Sequence, residues 1–313
     1  MSASIDLERT TAERVKSAAV PRAGTTSGKP QFHRIGDSEA GWPLPPAQMD
    51  LADDEIHVWR AALDEAGRDL PSLAETLSAG ERDRAERFQF DRDRYRFIAR
   101  RGLLRMILGR YLSIEPAQCS FTCESRGKPI LAETAAGQNL HFNVSRSDGL
   151  ALFAVARLSA IGVDVEHVRP IPEIDGIAAK FFSDREKAML NALPAEQRRE
   201  AFFNCWTRKE AYLKATGEGI ADALPQIEVS LAPGHPAQLL SIGGDAQAAS
   251  LWSIRTLEPA SGFIGALAVK ANDSKPECWQ WGKQFKAVGS IRCGDSPTTS
   301  ALRLYRLVPV RKE

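Results

Sequence analysis

The sequence predicts an α+β protein made of two similar halves, and three observations lead there. The chain has 313 residues, a length that suggests about two domains of ~150 residues each. The pattern Ser78-x-x-Glu81-Arg82, leading into a helix pair that ends Arg100-Arg101-Gly102-Leu103-Leu104-Arg105, is echoed by Ser183-x-x-Glu186-Lys187, leading into one that ends Arg208-Lys209-Glu210-Ala211-Tyr212-Leu213. Strand-like runs stand around both helix pairs. Two such halves leave a cleft between them, a natural place for a ligand.

The elements follow in order. Residues 1–52 read as a poorly ordered N-terminal extension, rich in Ser, Ala, Gly and Pro and closing on Pro43-Leu44-Pro45-Pro46. Ile56-His57-Val58-Trp59 is the first strand. The stretch 60–110 reads as helices: Leu103, Leu104, Ile107 and Leu108 recur at helical spacing, with Arg101 and Arg105 on another face. Phe121 opens a short strand, and Gly127-Lys128-Pro129 marks a turn. A strand region begins at His141. Leu150 to Ala156 then reads as a buried strand paired in a hairpin with Ile161 to Val165. Helices are expected around 174–182 and 183–193, the second opened by the Ser183/Glu186 capping box. A longer one is expected around 198–216, stopped at Gly217-Glu218-Gly219. Strands around 227–231, 251–256 and 263–269 complete the pattern. The predicted organisation is an N-terminal subdomain over 53–160, a C-terminal subdomain over 161–271, and a tail over 272–313. Strand-like pieces of that tail, such as Ala301 to Val310, have no predicted place.

Composition narrows the function. The net charge is +1, so no global field points to nucleic acid or a membrane surface. No apolar run approaches the ~18 residues of a membrane span. The N-terminus lacks a signal-peptide core, and Asp6, Glu8 and Glu13 interrupt the basic residues that a transit peptide would need. The five cysteines are odd in number and form no C-x-x-C, which argues against a zinc site or a disulfide framework. A reduced, cytoplasmic, monomeric protein is expected, with Cys205 as small core packing.

Five groups of residues carry candidate chemistry. In Gly162-Val163-Asp164-Val165-Glu166, residues two apart share a strand face, so Asp164 and Glu166 project together while Val163 and Val165 face the core. Two carboxylates ~6 Å apart repel by about 3 kcal/mol at an effective dielectric of ~20. A hard cation such as Mg²⁺ removes that cost; a solvated strand end with two surface acids is the plainer alternative. Glu210 and Lys214 are four apart on one helix face. They read either as a third carboxylate with a phosphate-neutralising lysine or as a surface pair. Asn143-Val144-Ser145-Arg146-Ser147 suits phosphate contact or a polar turn, and Arg126-Gly127-Lys128-Pro129 is a basic turn. The segment 81–110 holds ten arginines against five acids. It reads as an attractor for an anionic ligand or acidic partner, or as a solvated face laced with ion pairs.

The order and spacing of these pieces are more specific than any one of them. F-N-V-S-R-S, G-V-D-V-E, F-F-S-D-R-E and W-T-R-K-E-A-Y-L-K-A-T-G-E-G together resemble the 4′-phosphopantetheinyl transferases of the Sfp type. The W-x-x-K-E-[AS]-x-x-K signature falls at Trp206 to Lys214 and the G-[IV]-D-[IV]-E signature at Gly162 to Glu166. The likeness covers about residues 53–270. It implies a pseudo-dimer of two similar α+β subdomains with coenzyme A between them, and an apo acyl or peptidyl carrier protein as the second substrate. Asp164, Glu166 and Glu210 would hold Mg²⁺, and Lys214 would meet the transferred phosphate. Arg126 and Lys128 match a turn against the adenosine, Ser145 and Arg146 a pair that meets phosphates, and Arg92 an arginine that some members use for the 3′-phosphate. Many members carry Ser-His where this chain has Ser145-Arg146. A guanidinium also binds phosphate, so binding is expected to survive, but a protonation-dependent role of that histidine does not carry over.

The reaction implied is attack of a carrier serine hydroxyl on the β-phosphate of coenzyme A, with Glu210 as the candidate base, giving holo carrier protein and 3′,5′-ADP. Two rivals use the same residues differently: a metal-dependent hydrolase of nucleotide pyrophosphates, and a non-catalytic module that binds carrier proteins.

Overall fold

The computed structural model describes residues 41–46, 49–123, 128–132, 139–157, 160–217, 223–270 and 275–282. The fold is α+β and built of two similar halves. The first contains β1 (Ile56–Ala62), α1 (Leu70–Glu75), α2 (Ala79–Glu86), α3 (Asp91–Leu112), β2 (Phe121–Cys123), β3 (Pro129–Leu131), β4 (His141–Ser147) and β5 (Leu150–Ala156). The second contains β6 (Ile161–His167), α4 (Ile174–Phe181), α5 (Asp184–Ala192), α6 (Ala195–Thr216), β7 (Ile227–Val229), β8 (Leu239–Ile242), α7 (Ala246–Ser250), β9 (Trp252–Leu257) and β10 (Phe263–Lys270). A last strand, β11 (Glu277–Gln280), joins the first half.

The halves repeat each other strand for strand. The main sheet of the first runs β1-β5-β4, extended by β11 on the outer edge of β1, and that of the second runs β6-β10-β9. Each half adds a two-stranded ribbon, β2-β3 and β7-β8. Ser78 follows the start of β1 by 22 residues and Ser183 follows the start of β6 by 22. Both serines cap a helix with a complete capping box, satisfying backbone donors that the first turn leaves open. Both long helices have 22 residues, and each is closed by a left-handed residue, Ser113 and Gly217. The box carboxylates have a second role. Glu81 pairs with Arg105 and Glu186 with Lys209, at 2.7 and 2.5 Å, and each cation is the fifteenth residue of its long helix.

The layers run helix, sheet, sheet, helix. Ile56, Val58, Leu152 and Ala154 of one sheet meet Val163, Val165, Leu257 and Leu267 of the other in a shared core. The outer faces pack on the long helices. Trp59, Ala61 and Phe153 lie in one cluster with Leu103, Leu104 and Ile107 of α3. Ala266 and Ala268 lie in another with Phe202, Trp206 and Leu213 of α6. Cys205 is buried in that cluster, as its expected packing role requires.

One expectation needs correction. Leu150–Ala156 does not pair with β6; it pairs with β4 and β1, while β6 pairs with β10. The hairpin turn is Asp148-Gly149, where both residues have positive φ, 38° and 83°. An Asp-Gly pair adopts that geometry readily, and it sets a two-residue connection, so β5 turns back on β4. Much of the arginine-rich face is tied inward: Arg101 and Arg105 hold Glu81, and Arg96 holds Asp64 through two bonds of 2.6 Å. β8, α7 and β11 had no counterpart among the expected elements. Ala301 to Val310 lies outside the described residues. No described helix is long and apolar enough to cross a membrane.

Candidate active site

The site forms where β6 meets α6 and the edge of β4. On β6 the odd residues Val163 and Val165 enter the shared core. The even residues Gly162, Asp164 and Glu166 therefore face the other way, toward α6. Gly162 sets the spacing. A Cβ built there would overlap the Ala211 carbonyl oxygen and the Ala215 amide nitrogen and come within 3.0 Å of the Lys214 carbonyl carbon. Only glycine allows the helix backbone to rest directly on the strand. That contact, with Trp206 and Leu213 anchored in the core on another face of α6, brings Glu210 and Lys214 over Asp164.

β4 approaches β6 without pairing to it through the backbone. Its odd residues Asn143, Ser145 and Ser147 point at the edge of β6 instead. Asn143 Oδ1 accepts from the amide of Val163 at 2.9 Å, Ser145 Oγ from Val165 at 3.3 Å, and Ser147 Oγ from His167 at 3.1 Å. Three side-chain oxygens thus satisfy an edge that would otherwise present unpaired donors. The two hydroxyls also reach the carboxylates. Ser145 donates to Asp164 Oδ1 and Ser147 to Glu166 Oε2, both at 2.8 Å.

Asp164, Glu166 and Glu210 are all buried. Burial first, and then repulsion by Asp164, raises the two glutamates, Glu166 to about 7 and Glu210 to about 8. Burial also raises Asp164, against the opposing pull of Lys214. Lys214 Nζ lies 2.6 Å from Asp164 Oδ1 and donates to Ser145 Oγ at 3.0 Å. Arg169 Nη1 stands 3.7 Å from Glu166 Oε2. Asp164 Oδ2 and both oxygens of Glu210 are buried without a hydrogen-bond partner among the described residues, a costly state for carboxylate oxygens. No three His, Cys, Asp or Glu side chains among the described residues form a ready-made metal cage. The donor set nevertheless fits Mg²⁺, which binds one or two carboxylates and completes its shell with water and substrate phosphate rather than with an all-protein cage.

These shifts predict a pH dependence for the metal-free protein. The folded state keeps protons on Glu166 and Glu210 that the unfolded chain loses above about 4.5, so their contribution to stability falls as pH rises toward 8. His57, held below its usual value of 6.5 by burial, contributes the opposite slope only at lower pH. In EDTA, the unfolding temperature is expected to fall by several degrees between pH 6.5 and 8.5, at about 2–4 °C per kcal/mol for a domain of this size. Added MgCl₂ should abolish the fall. A flat profile in EDTA, measured by differential scanning calorimetry, would contradict the electrostatics of the cluster.

The remaining candidates spread around this centre. Lys128 donates to the Ala215 carbonyl at 3.3 Å, at the C-terminal end of α6, where a cation suits the helix dipole. Arg126 lies outside the described residues. Ser145 and Arg146 do not act on one spot: they alternate on β4, so Arg146 shares the face of Phe142 and Val144, on the side of α3. There Arg100 is pushed down to about 9 by burial and by the nearby cations of Arg146, Arg101 and Arg84. Arg92 is exposed on the first turn of α3. It shares a helix face with Arg96, which reaches Asp148 at the β4–β5 turn at 3.7 Å. Sequence reasoning passes over Arg169 and reads Asn143 and Ser147 as phosphate contacts or a polar turn. The period-two run Asn143-x-Ser145-x-Ser147 was their available signal, a polar strand face directed at another strand rather than at solvent.

Both halves of the chain match known families. Residues 160–267 match the family described as the 4′-phosphopantetheinyl transferase superfamily, and residues 63–157 the one described as 4′-phosphopantetheinyl transferase, N-terminal. The chain is 45% identical over 240 residues to the 4′-phosphopantetheinyl transferase HetI of Nostoc sp. (strain PCC 7120), covering 77% of this chain and 98% of that one. It is 33% identical over 174 residues to the 4′-phosphopantetheinyl transferase psf-1 of Bacillus pumilus, covering 56% and 72%. It is 28% identical over 155 residues to Sfp of Bacillus subtilis (strain 168), covering 50% and 66%.

Proposed function

The chain belongs to the 4′-phosphopantetheinyl transferase family, Sfp type, and from that premise we propose that it moves the 4′-phosphopantetheine group from coenzyme A to a serine of an apo acyl or peptidyl carrier protein, with Mg²⁺, leaving 3′,5′-ADP. The observation that carries this reading is the group of buried carboxyls Asp164, Glu166 and Glu210 beside Lys214. Such a group is out of place in a core unless cations and phosphates compensate it. Coenzyme A lies between the subdomains of residues 53–160 and 161–271.

In this reading Asp164, Glu166 and Glu210 would hold the metal together with water and substrate phosphate, and the metal would neutralise charge on the phosphoryl oxygens. The carrier serine oxygen bonds to the β-phosphorus as the bond to the leaving 3′,5′-ADP breaks. Glu210, which a bound cation would keep ionised, takes the serine proton directly or through one water. Lys214 turns from Asp164 toward the departing phosphate and stabilises its charge. In this reading Lys128 and Ser145 meet coenzyme A beside this centre, Arg92 and Arg146 meet it on the α3 side of β4, and Arg126 completes the set. Positioning and electrostatics carry most of such a reaction.

The test is a mass measurement. Purified protein, coenzyme A and Mg²⁺ are incubated with apo acyl and apo peptidyl carrier proteins, and the carriers are weighed. A gain equal to one phosphopantetheine on at least one carrier is expected. No gain on any carrier would overturn the proposal. Consumption of coenzyme A with unmodified carriers would favour pyrophosphate hydrolysis instead.

A further inference from the structure

Each carboxylate of β6 is held by its own serine. Ser145 Oγ ties Asp164 Oδ1 and leaves Oδ2 without a partner among the described residues. Ser147 Oγ, buried in the same row, ties Glu166 Oε2 at 2.8 Å. The same hydroxyl oxygen accepts the His167 amide at 3.1 Å. Its proton is therefore directed at the carboxylate, because the backbone donor occupies the acceptor side. A hydroxyl so pinned restrains the orientation of the Glu166 carboxylate. Asn143 makes the matching backbone bond to Val163 yet touches no carboxylate in the hydrogen bonds described.

We infer that Ser147 is a positioning residue for metal binding: it fastens β4 to β6 and in the same contact orients Glu166 as a ligand. The assignment rests on the reading of Glu166 as a metal ligand. It makes the metal site a property of both halves, since the ligands stand on the second half and their orienting hydroxyls on the first. Outer partners of this kind typically carry 10–100-fold of metal affinity.

The experiment measures Mn²⁺ affinity of the full chain by electron paramagnetic resonance, with thermal unfolding followed in parallel. Ser147→Ala is expected to weaken Mn²⁺ binding at least about 10-fold. Ser147→Thr, which keeps the hydroxyl, should restore most of it. Asn143→Ala should lower the unfolding temperature to a similar degree as Ser147→Ala, while its Mn²⁺ affinity stays within about two-fold of wild type. Should Ser147→Ala fail to fold, Ser147→Cys, similar in volume but a weaker donor, is judged by the same criterion. Equal Mn²⁺ affinity in wild type and the Ser147 variants would overturn the inference and leave the transferase reading standing. Equal losses in the Ser147 and Asn143 variants would also overturn it, by showing only a loosened seam. A wild-type protein that binds no Mn²⁺ would remove the metal reading, and this inference with it.

Discussion

Gly162→Ala is expected to cut activity by about 100-fold or more and to cost about 3 kcal/mol of stability, near the upper end for overpacking a tight contact. Two features make this methyl group so disruptive. The atoms it would overlap, Ala211 O and Ala215 N, belong to the backbone of α6 and cannot rotate aside as a side chain can. The helix that would have to lift is also the one that carries Glu210 and Lys214. Displacing them by even ~1 Å from Asp164 is enough to cost about 100-fold in rate. Thermal unfolding should shift down by about 6–12 °C at 2–4 °C per kcal/mol, and carrier loading should slow by about 100-fold or more. A Gly162→Ala protein with wild-type turnover would show that the approach of α6 to β6 does not set the site.

Glu210→Gln is expected to separate activity from stability in the opposite way. Turnover should fall by about 10²–10⁴-fold, the range associated with losing a positioned base. The unfolding temperature of the metal-free protein should hold or rise. Both oxygens of Glu210 are buried without hydrogen-bond partners among the described residues, and its carboxyl is raised by burial and by Asp164. A neutral amide of the same shape cannot take up the buried charge that the carboxyl carries at higher pH. Steady-state loading kinetics and calorimetry on one preparation decide the matter. Loss of stability together with activity would mean that Glu210 is structural, and unchanged turnover would remove it from the mechanism.

The first half shows what is unusual about the second. β1 and β6 start their halves in the same way, so Trp59 and Ala61 stand where Asp164 and Glu166 stand. Met106 follows Arg105 on α3 as Glu210 follows Lys209 on α6. Trp59 lies in the apolar core against α3, its indole donating to Tyr111. One copy thus fills these positions with hydrocarbon, while the other places carboxyl groups in them. A core position gives the carboxyls burial and rigid support at a cost in stability, a common trade at functional sites.

The sequence by itself determined the α+β class, the two capping boxes, the long helices and the common face of Asp164 and Glu166. These depend on local spacing: a capping box spans four residues, and strand alternation needs only neighbours. The family was legible too, because its signatures are short runs at fixed distances. The pairing of β5 was misread although the Asp148-Gly149 turn lay in plain view, since two adjacent apolar runs also make a plausible hairpin. Only the tertiary structure decided that Ser145 and Arg146 serve opposite faces, that Lys214 rests on Asp164, and that Asn143, Ser145 and Ser147 stand in for a strand beside β6. Each of those facts concerns residues that lie about 20 to 50 positions apart in the chain or on different sides of one strand. Which distant group satisfies a buried donor or charge is settled by packing of the two halves, and no local periodicity encodes it.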